Sequence, residues 1–226
     1  MLAQNPCALC ELPRREKREM LCLSAQQVVQ FLETARNDKW FIVFLVAIET
    51  GARPEEYLGL RWSDIDFESR TVSVRRALVW RKGGGFIFTE PKTARSRRQI
   101  PLSASVVDEL RKHKRKQAEE RLRLGELYEN LDLVFAAERG TPFLWRNLTR
   151  RHFKPLLQKA GLPNVRLYDL RHTTATMLLA AGENPKVVSE RLRHASITLT
   201  LDTYSHVLPT MQQAATEKLE RLMYGA

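Results

Sequence analysis

Cysteine is scarce and unevenly placed: three residues in a chain of 226, all within the first 22. An odd number gathered at one end is no disulfide framework of the kind that holds small secreted domains together. Cys7 and Cys10 form a CxxC, but a zinc site takes four ligands. Cys22 is the one further thiol, and no histidine precedes His113. Incidental thiols in a reducing compartment are the plainer reading, and no metal or cofactor is expected. Long apolar runs are missing too. The longest, Trp40 to Ile48, has nine residues, against the roughly 20 that span a bilayer. Cys7, Cys10 and charged residues stand where a secretory signal would need an apolar core. These absences argue against a secreted or membrane-spanning protein and for a cytoplasmic one.

Negative charge is the remaining shortage. Lys and Arg number 37 against 26 Asp and Glu, a net +11. Such an excess calls for a polyanionic partner, nucleic acid or an acidic membrane face. Apolar residues make up 43%, enough to bury the core of one large domain or a compact pair.

The first 23 residues, with Pro6, Pro13 and the cluster Arg14, Arg15, Lys17 and Arg18, read as a linker from something upstream. Ordered structure is expected from Ser24, which forms a capping box with Gln27, and Leu23 can staple onto Val28. A helix over about 25–36 follows. Asp38 caps a second helix that is apolar almost all round and therefore central. Gly51 stops it, and a short helix begins at Pro54. The period then becomes alternating at Thr71–Val74 and Phe86–Phe88. Gly83, Gly84 and Gly85 supply a hairpin turn between those strands, and a third around Arg98–Pro101 completes a small sheet. A basic helix over about 104–123 contains the run Arg111 to Lys116. Further helices are expected over about 145–160, 169–181, 185–192, 197–205 and 210–223. The fold class is α+β, mostly helical, with a three-stranded antiparallel sheet inserted near the middle; residues 24–226 form one domain.

Basic pairs and runs recur along the chain: Arg75 and Arg76, Arg81 and Lys82, Arg95 to Arg98, Arg111 to Lys116, and Arg150 to Lys154. Each alone is more often a solvated face than a binding site. Together with +11 they favour a surface that neutralises phosphates. Arg75, Arg76, Arg95, Arg97, Arg98, Lys112, Arg150 and Arg151 are the candidate nucleic-acid contacts. The carboxyl-terminal third then reads Tyr168-Asp-Leu-Arg171-His-Thr, Leu192-Arg-His194-Ala-Ser and Asp202-Thr-Tyr204-Ser-His206. Upstream stand Thr50-Gly-Ala-Arg53-Pro-Glu-Glu56 and Lys92. This ordered set resembles the catalytic domain of the tyrosine recombinase (lambda-type phage integrase) family, over about residues 20–223. The basic linker also resembles the join to that family's small helical core-binding domain.

The resemblance implies a double-stranded DNA substrate and a phage or other mobile-element context. It also implies strand exchange by a homotetramer, with a monomer in the absence of DNA. Breaking a phosphodiester without metal requires a nucleophile, compensation for developing negative charge, and a proton for the leaving oxygen. Tyr204 supplies the phenol, which at an ordinary pKa of about 10 is barely ionised at neutral pH. Arg53 and Arg171 offer planar forks to the non-bridging oxygens. Asp169, read as a cap, puts Arg171 in the first turn of its helix. Glu56, three residues after Arg53, shares its helical face and can orient it. The resemblance further implies that Lys92 protonates the expelled 5′-oxygen while a 3′-phosphotyrosine forms. His194 would bond the phosphate or take the tyrosine proton. Tyr168 departs from the family pattern, which places His or Lys three before the second arginine. A phenol there donates a hydrogen bond without charge.

Blander readings stand beside these. Without its neighbours Tyr204 would be an ordinary amphipathic-helix residue. His172, with Leu170, Thr174 and Leu178 around it, reads as a satisfied core histidine, and His206 as a supporting or surface residue. Lys82 flanks the same hairpin as Lys92. The helix from Met211 to Tyr224 either folds back on its own domain or docks on a neighbouring protomer. As for activity, site-specific recombination leads; a catalytically silent DNA-binding fragment and a type IB topoisomerase-like relaxing activity are the alternatives.

Overall fold

The computed structural model describes residues 21–81, 83–89, 98–194, 196–204 and 209–225. Cys7, Cys10 and nearly all of the expected linker lie outside them, as do Lys82, Lys92, Arg95, Arg97 and His206.

Helix α1 (Ala25–Ala35) starts as its sequence dictates. Ser24 accepts from the Gln27 amide, and the Gln27 side chain accepts from the Ser24 amide. Helix α2 (Phe41–Thr50) buries residues on all sides. Its Phe44 packs with Phe31 of α1 and Phe153, ring centroids 5.3–5.7 Å apart. Asp38 does not cap it as expected. Trp40 holds that position; one Asp38 oxygen takes the Trp40 amide and the other meets His152 Nδ1 at 2.9 Å. Gly51 ends α2 with φ of +62°, a left-handed conformation that glycine enters without a steric penalty.

Short helix α3 (Pro54–Leu58) leads to strands β1 (Ile65–Asp66), β2 (Thr71–Val74), β3 (Ala77–Trp80), β4 (Phe86–Thr89) and β5 (Arg98–Pro101). The sheet differs from the expectation. β1, β2 and β5 form a three-stranded antiparallel sheet, while β3 and β4 form a separate hairpin. The glycine turn therefore joins Ala77–Trp80, not Thr71–Val74, to Phe86–Thr89. Between β2 and β3 the chain turns at Arg75 and Arg76, both paired with the buried Asp64 carboxylate.

Helix α4 (Ala104–Leu124) is basic but not wholly solvated. Lys114 lies 5.3 Å from both the Trp62 and Phe67 rings, and His113 Nε2 meets the Val134 carbonyl at 2.7 Å. Residues 145–159 form one rod of three parts: α5 (Trp145–Leu148), a π-helical turn (Thr149–Phe153) and α6 (Lys154–Lys159). Pro155, which has no amide proton to give the preceding turn, sits where the π turn ends. Helices α7 (Asp169–Ala180), α8 (Pro185–Leu192), α9 (Ile197–Tyr204) and α10 (Pro209–Tyr224) complete the chain. Leu219, Leu222, Met223 and Tyr224 remain exposed, so this end of α10 does not fold back on its own domain. Among the described residues no helix is long and apolar enough to cross a membrane.

Candidate active site

The start of α3, the first turn of α7 and the ends of α8 and α9 deliver the candidate groups to one place. Pro54 occupies the first turn of α3 and excludes a helical conformation from Arg53, which is extended at φ −70°, ψ 152°. Its side chain, 36% exposed, leaves the α3 start beside Glu56. Glu56 receives the Arg53 backbone amide at 2.9 Å and Arg53 Nη1 at 3.3 Å, the orienting contact expected from their spacing. Burial by itself would raise the Glu56 carboxyl. Hydrogen bonds and charge from Arg98, then Arg53, outweigh it and hold the group at about 2.

Arg171 is buried. Its Nη1 donates to the Gly51 carbonyl at 2.8 Å and its Nη2 to the Leu192 carbonyl at 2.5 Å. One guanidinium thus ties the end of α2 to the end of α8. Burial, followed by the nearby charge of Arg53, brings its pKa down to about 10, so it remains a cation at neutral pH. Asp169 is not the cap of α7. Tyr168 is, and the Asp169 carboxylate instead receives the Arg166 amide and guanidinium at 2.7–3.1 Å.

Arg193, in the left-handed region at φ 57°, closes α8 and turns the chain so that the His194 amide donates back to Ser189. His194 Nδ1 bonds Thr200 Oγ1 at 2.6 Å, which leaves Nε2 for another partner. Burial, then the charges of Arg171 and Arg53, lowers its pKa to about 4. Tyr204, the last residue of α9, is wholly enclosed and lies parallel to the His194 ring, centroids 6.5 Å apart. Burial pushes its phenol well above the usual range, and Arg171 works in the opposite direction.

The hydroxyl of Tyr204 meets His172 Nδ1 at 2.7 Å. The sequence pattern places His172 in the core; in the structure it is half-buried, and its ring faces both Tyr204 and Tyr168, the latter 5.4 Å away. Its adjacency to Arg171 was the one available signal, and apolar neighbours on α7 masked it. Tyr168 is 38% exposed. Arg53, Arg171, His194, Tyr204 and Tyr168 are therefore brought together, while Lys92 lies outside the described residues.

The candidate DNA contacts divide. Arg75, Arg150 and Arg151 are exposed. Lys112 is exposed and paired with Glu109 at 2.7 Å. Arg76 is turned toward Asp64, and Arg98 is 10% exposed with its fork on Glu56.

With this geometry in hand, the chain's kinship is plain. It belongs to the phage integrase family, whose model matches residues 22–211. It is 33% identical to a XerC-like tyrosine recombinase of Caldanaerobacter subterraneus subsp. tengcongensis, over 98% of this chain and 61% of that protein. It is 28% identical to the ICEBs1 integrase of Bacillus subtilis, over 99% of this chain and 60% of the relative. The chain thus spans about three fifths of these relatives. Among solved structures, the Tn1549 transposon integrase bound to transposon right end DNA superimposes with a TM-score of 0.76. That match has 26% identity and covers 90% of this chain and 67% of the other. The catalytic domain of bacteriophage HP1 integrase shares the fold, with a TM-score of 0.57 at 20% identity, over 92% and 99% of the two chains.

Proposed function

We propose that this chain is the catalytic portion of a site-specific DNA recombinase that cuts and rejoins double-stranded DNA through a 3′-phosphotyrosine. The observation that carries the reading is the convergence of Arg53, Arg171 and His194 on one another, with the Tyr204 phenol beside Arg171 and His194, from segments as far apart as α3 and α9. Family membership and a relative solved on transposon DNA support it.

In this reading Arg53 and Arg171 donate to the non-bridging oxygens of the scissile phosphate, each supplying charge-assisted bonds that strengthen as the phosphorane forms. His194, with Nδ1 on Thr200, offers Nε2 to the same phosphate. Tyr168 adds a neutral hydroxyl at the rim. Tyr204 Oη attacks phosphorus, its proton passes to an imidazole, His172 or His194, and the bond to the 5′-oxygen breaks. Lys92 gives that oxygen a proton. Resealing by a second 5′-hydroxyl reverses these transfers and needs no nucleotide cofactor. An enclosed phenol cannot touch a phosphate, so α9 must shift before cleavage. Assembly into a homotetramer on two duplexes, with α10 of one protomer covering its apolar residues on another, completes the proposal. So do a mobile-element setting and a cytoplasmic location.

The test uses a pool of nicked suicide duplexes with randomised sequence, so that no target need be known. Incubation followed by a denaturing gel should show a covalent protein–DNA adduct that Tyr204→Phe abolishes. Enclosure of Tyr204 is also what a silent DNA-binding fragment would show, and absence of any adduct alongside retained DNA binding would establish that alternative. Relaxation of supercoiled plasmid without regard to sequence would instead indicate topoisomerase activity.

A further inference from the structure

Arg98 stands in the middle of the site without facing its mouth. Its Nη2 donates to Glu56 Oε2 at 2.8 Å, its Nη1 to Glu56 Oε1 at 3.2 Å, and its Nε to the Arg191 carbonyl at 2.9 Å. All three nitrogens are engaged and the side chain is 10% exposed, so it has little surface to offer to DNA. Glu56 is equally saturated. Each carboxylate oxygen receives one N–H from Arg98 and one from Arg53.

The consequence is electrostatic. Arg53, Arg98 and Glu56 together carry two positive charges and one negative, a net +1. Arg98 takes the shorter, bidentate share of the carboxylate, while Arg53 keeps a single side-chain bond of 3.3 Å and stays partly exposed. Without Arg98, a buried carboxylate would have only Arg53 to neutralise it. The two would collapse into a closed pair that no longer presents a free cation. The third bond, to the last turn of α8, fixes the same guanidinium relative to the segment that carries His194.

We infer that Arg98 is a positioning residue that occupies Glu56 and thereby leaves the Arg53 guanidinium open to an incoming phosphate. This rests on the recombinase reading above. It assigns the arginine of β5 to the geometry of cleavage and not to DNA contact. A lysine could retain the charge but not chelate two oxygens and a carbonyl at once.

The experiment measures adduct formation on the nicked-duplex pool and, separately, noncovalent affinity for the same pool, with Tyr204→Phe in each protein. Arg98→Met should slow adduct formation by about 10- to 100-fold, less than the roughly 100- to 1,000-fold cost of deleting a transition-state donor outright, and change affinity less than about 2-fold. Arg98→Lys should fall between that variant and the parent. The double variant Arg98→Met with Glu56→Gln removes the charge that would capture Arg53, and should recover at least about 5-fold of the lost rate. A purely structural role would make the double variant no better than the single one, and that result overturns the inference. Parental rates in Arg98→Met, or loss confined to affinity, overturn it as well. Should Arg98→Met fail to fold, a parental rate in Arg98→Lys overturns the inference in the same way. No adduct from the parent protein would refute the recombinase reading itself, an outcome distinct from all of these.

Discussion

Gly51 offers the sharpest test of how the fold positions the site. A β-carbon added there would lie 2.6 Å from Leu192 Cδ2 and 3.3 Å from Thr174 Cγ2. The backbone at φ +62° would also force alanine into the left-handed region, at about 1–2 kcal/mol. Leu192 is fully buried in the small cluster with Ala175, Leu179, Val188 and Tyr204, so its side chain cannot yield freely. Overpacking of that kind costs about 1–3 kcal/mol. Taken together, Gly51→Ala should destabilise the protein by about 3 kcal/mol and lower its melting temperature by roughly 6–12 °C for a domain of this size. The methyl group also drives apart the Gly51 and Leu192 backbones, whose carbonyls are the two anchors of Arg171. Adduct formation at a temperature where the variant is folded should therefore fall by about 10-fold or more, since small displacements of a phosphate-binding fork are costly in rate. Thermal denaturation followed by circular dichroism and the nicked-duplex assay read the two effects. A variant that melts within about 2 °C of the parent and forms adduct at the parental rate would refute the packing argument and the anchoring of Arg171 together.

Other outcomes follow from the same geometry. His172→Phe takes the hydrogen-bond partner from an enclosed Tyr204 hydroxyl, a loss of about 1–3 kcal/mol. Amide hydrogen exchange across α9 should accelerate about tenfold or more, and unchanged exchange would contradict the bond. His172 and His194 both titrate below their unfolded value of about 6.5, chiefly through burial. Their contribution to stability is present above that value and is lost as pH falls below it, in the case of His194 toward about 4. The urea midpoint should drop between pH 7.5 and 5, less steeply in His194→Gln, and a midpoint that rises on acidification would be inconsistent with neutral imidazoles. Finally, Arg150→Ala or Arg151→Ala should weaken DNA binding and reduce the slope of log affinity against log salt by about one per lost phosphate contact. An unaltered slope would remove that face from the interface.

Local signals in the sequence translated directly into structure. The Ser24–Gln27 capping box, the glycine stop at 51, the Pro54 start and the spacing of Arg53 and Glu56 involve neighbours within a few residues, where helix geometry decides the outcome. Pairing between distant segments was harder to read. Thr71–Val74 and Ala77–Trp80 both carry strand character, and nothing local tells which one the glycine turn joins to Phe86–Thr89. Asp64 settles it by holding Arg75 and Arg76 at the break between two sheets. The basic clusters were incompletely legible for a related reason: charge in a sequence does not say which way a side chain turns. Arg98 and Arg76 look like DNA contacts beside their neighbours, yet each is held by a buried carboxylate from an earlier segment. His172 shows the same limit. Its 32-residue separation from Tyr204 is bridged only once α9 folds over α7 and α8.

The central claim is that Tyr204 is the nucleophile in strand cleavage. The most direct measurement is mass spectrometry of the trapped adduct after nuclease and trypsin digestion. Cleavage after Arg193 and Lys218 releases a peptide of residues 194–218 that contains Tyr204 and no other tyrosine. The expected result is a nucleotide mass on that peptide, localised to Tyr204. The same modification on Tyr168 or Tyr224, with Tyr204 unmodified, would contradict it.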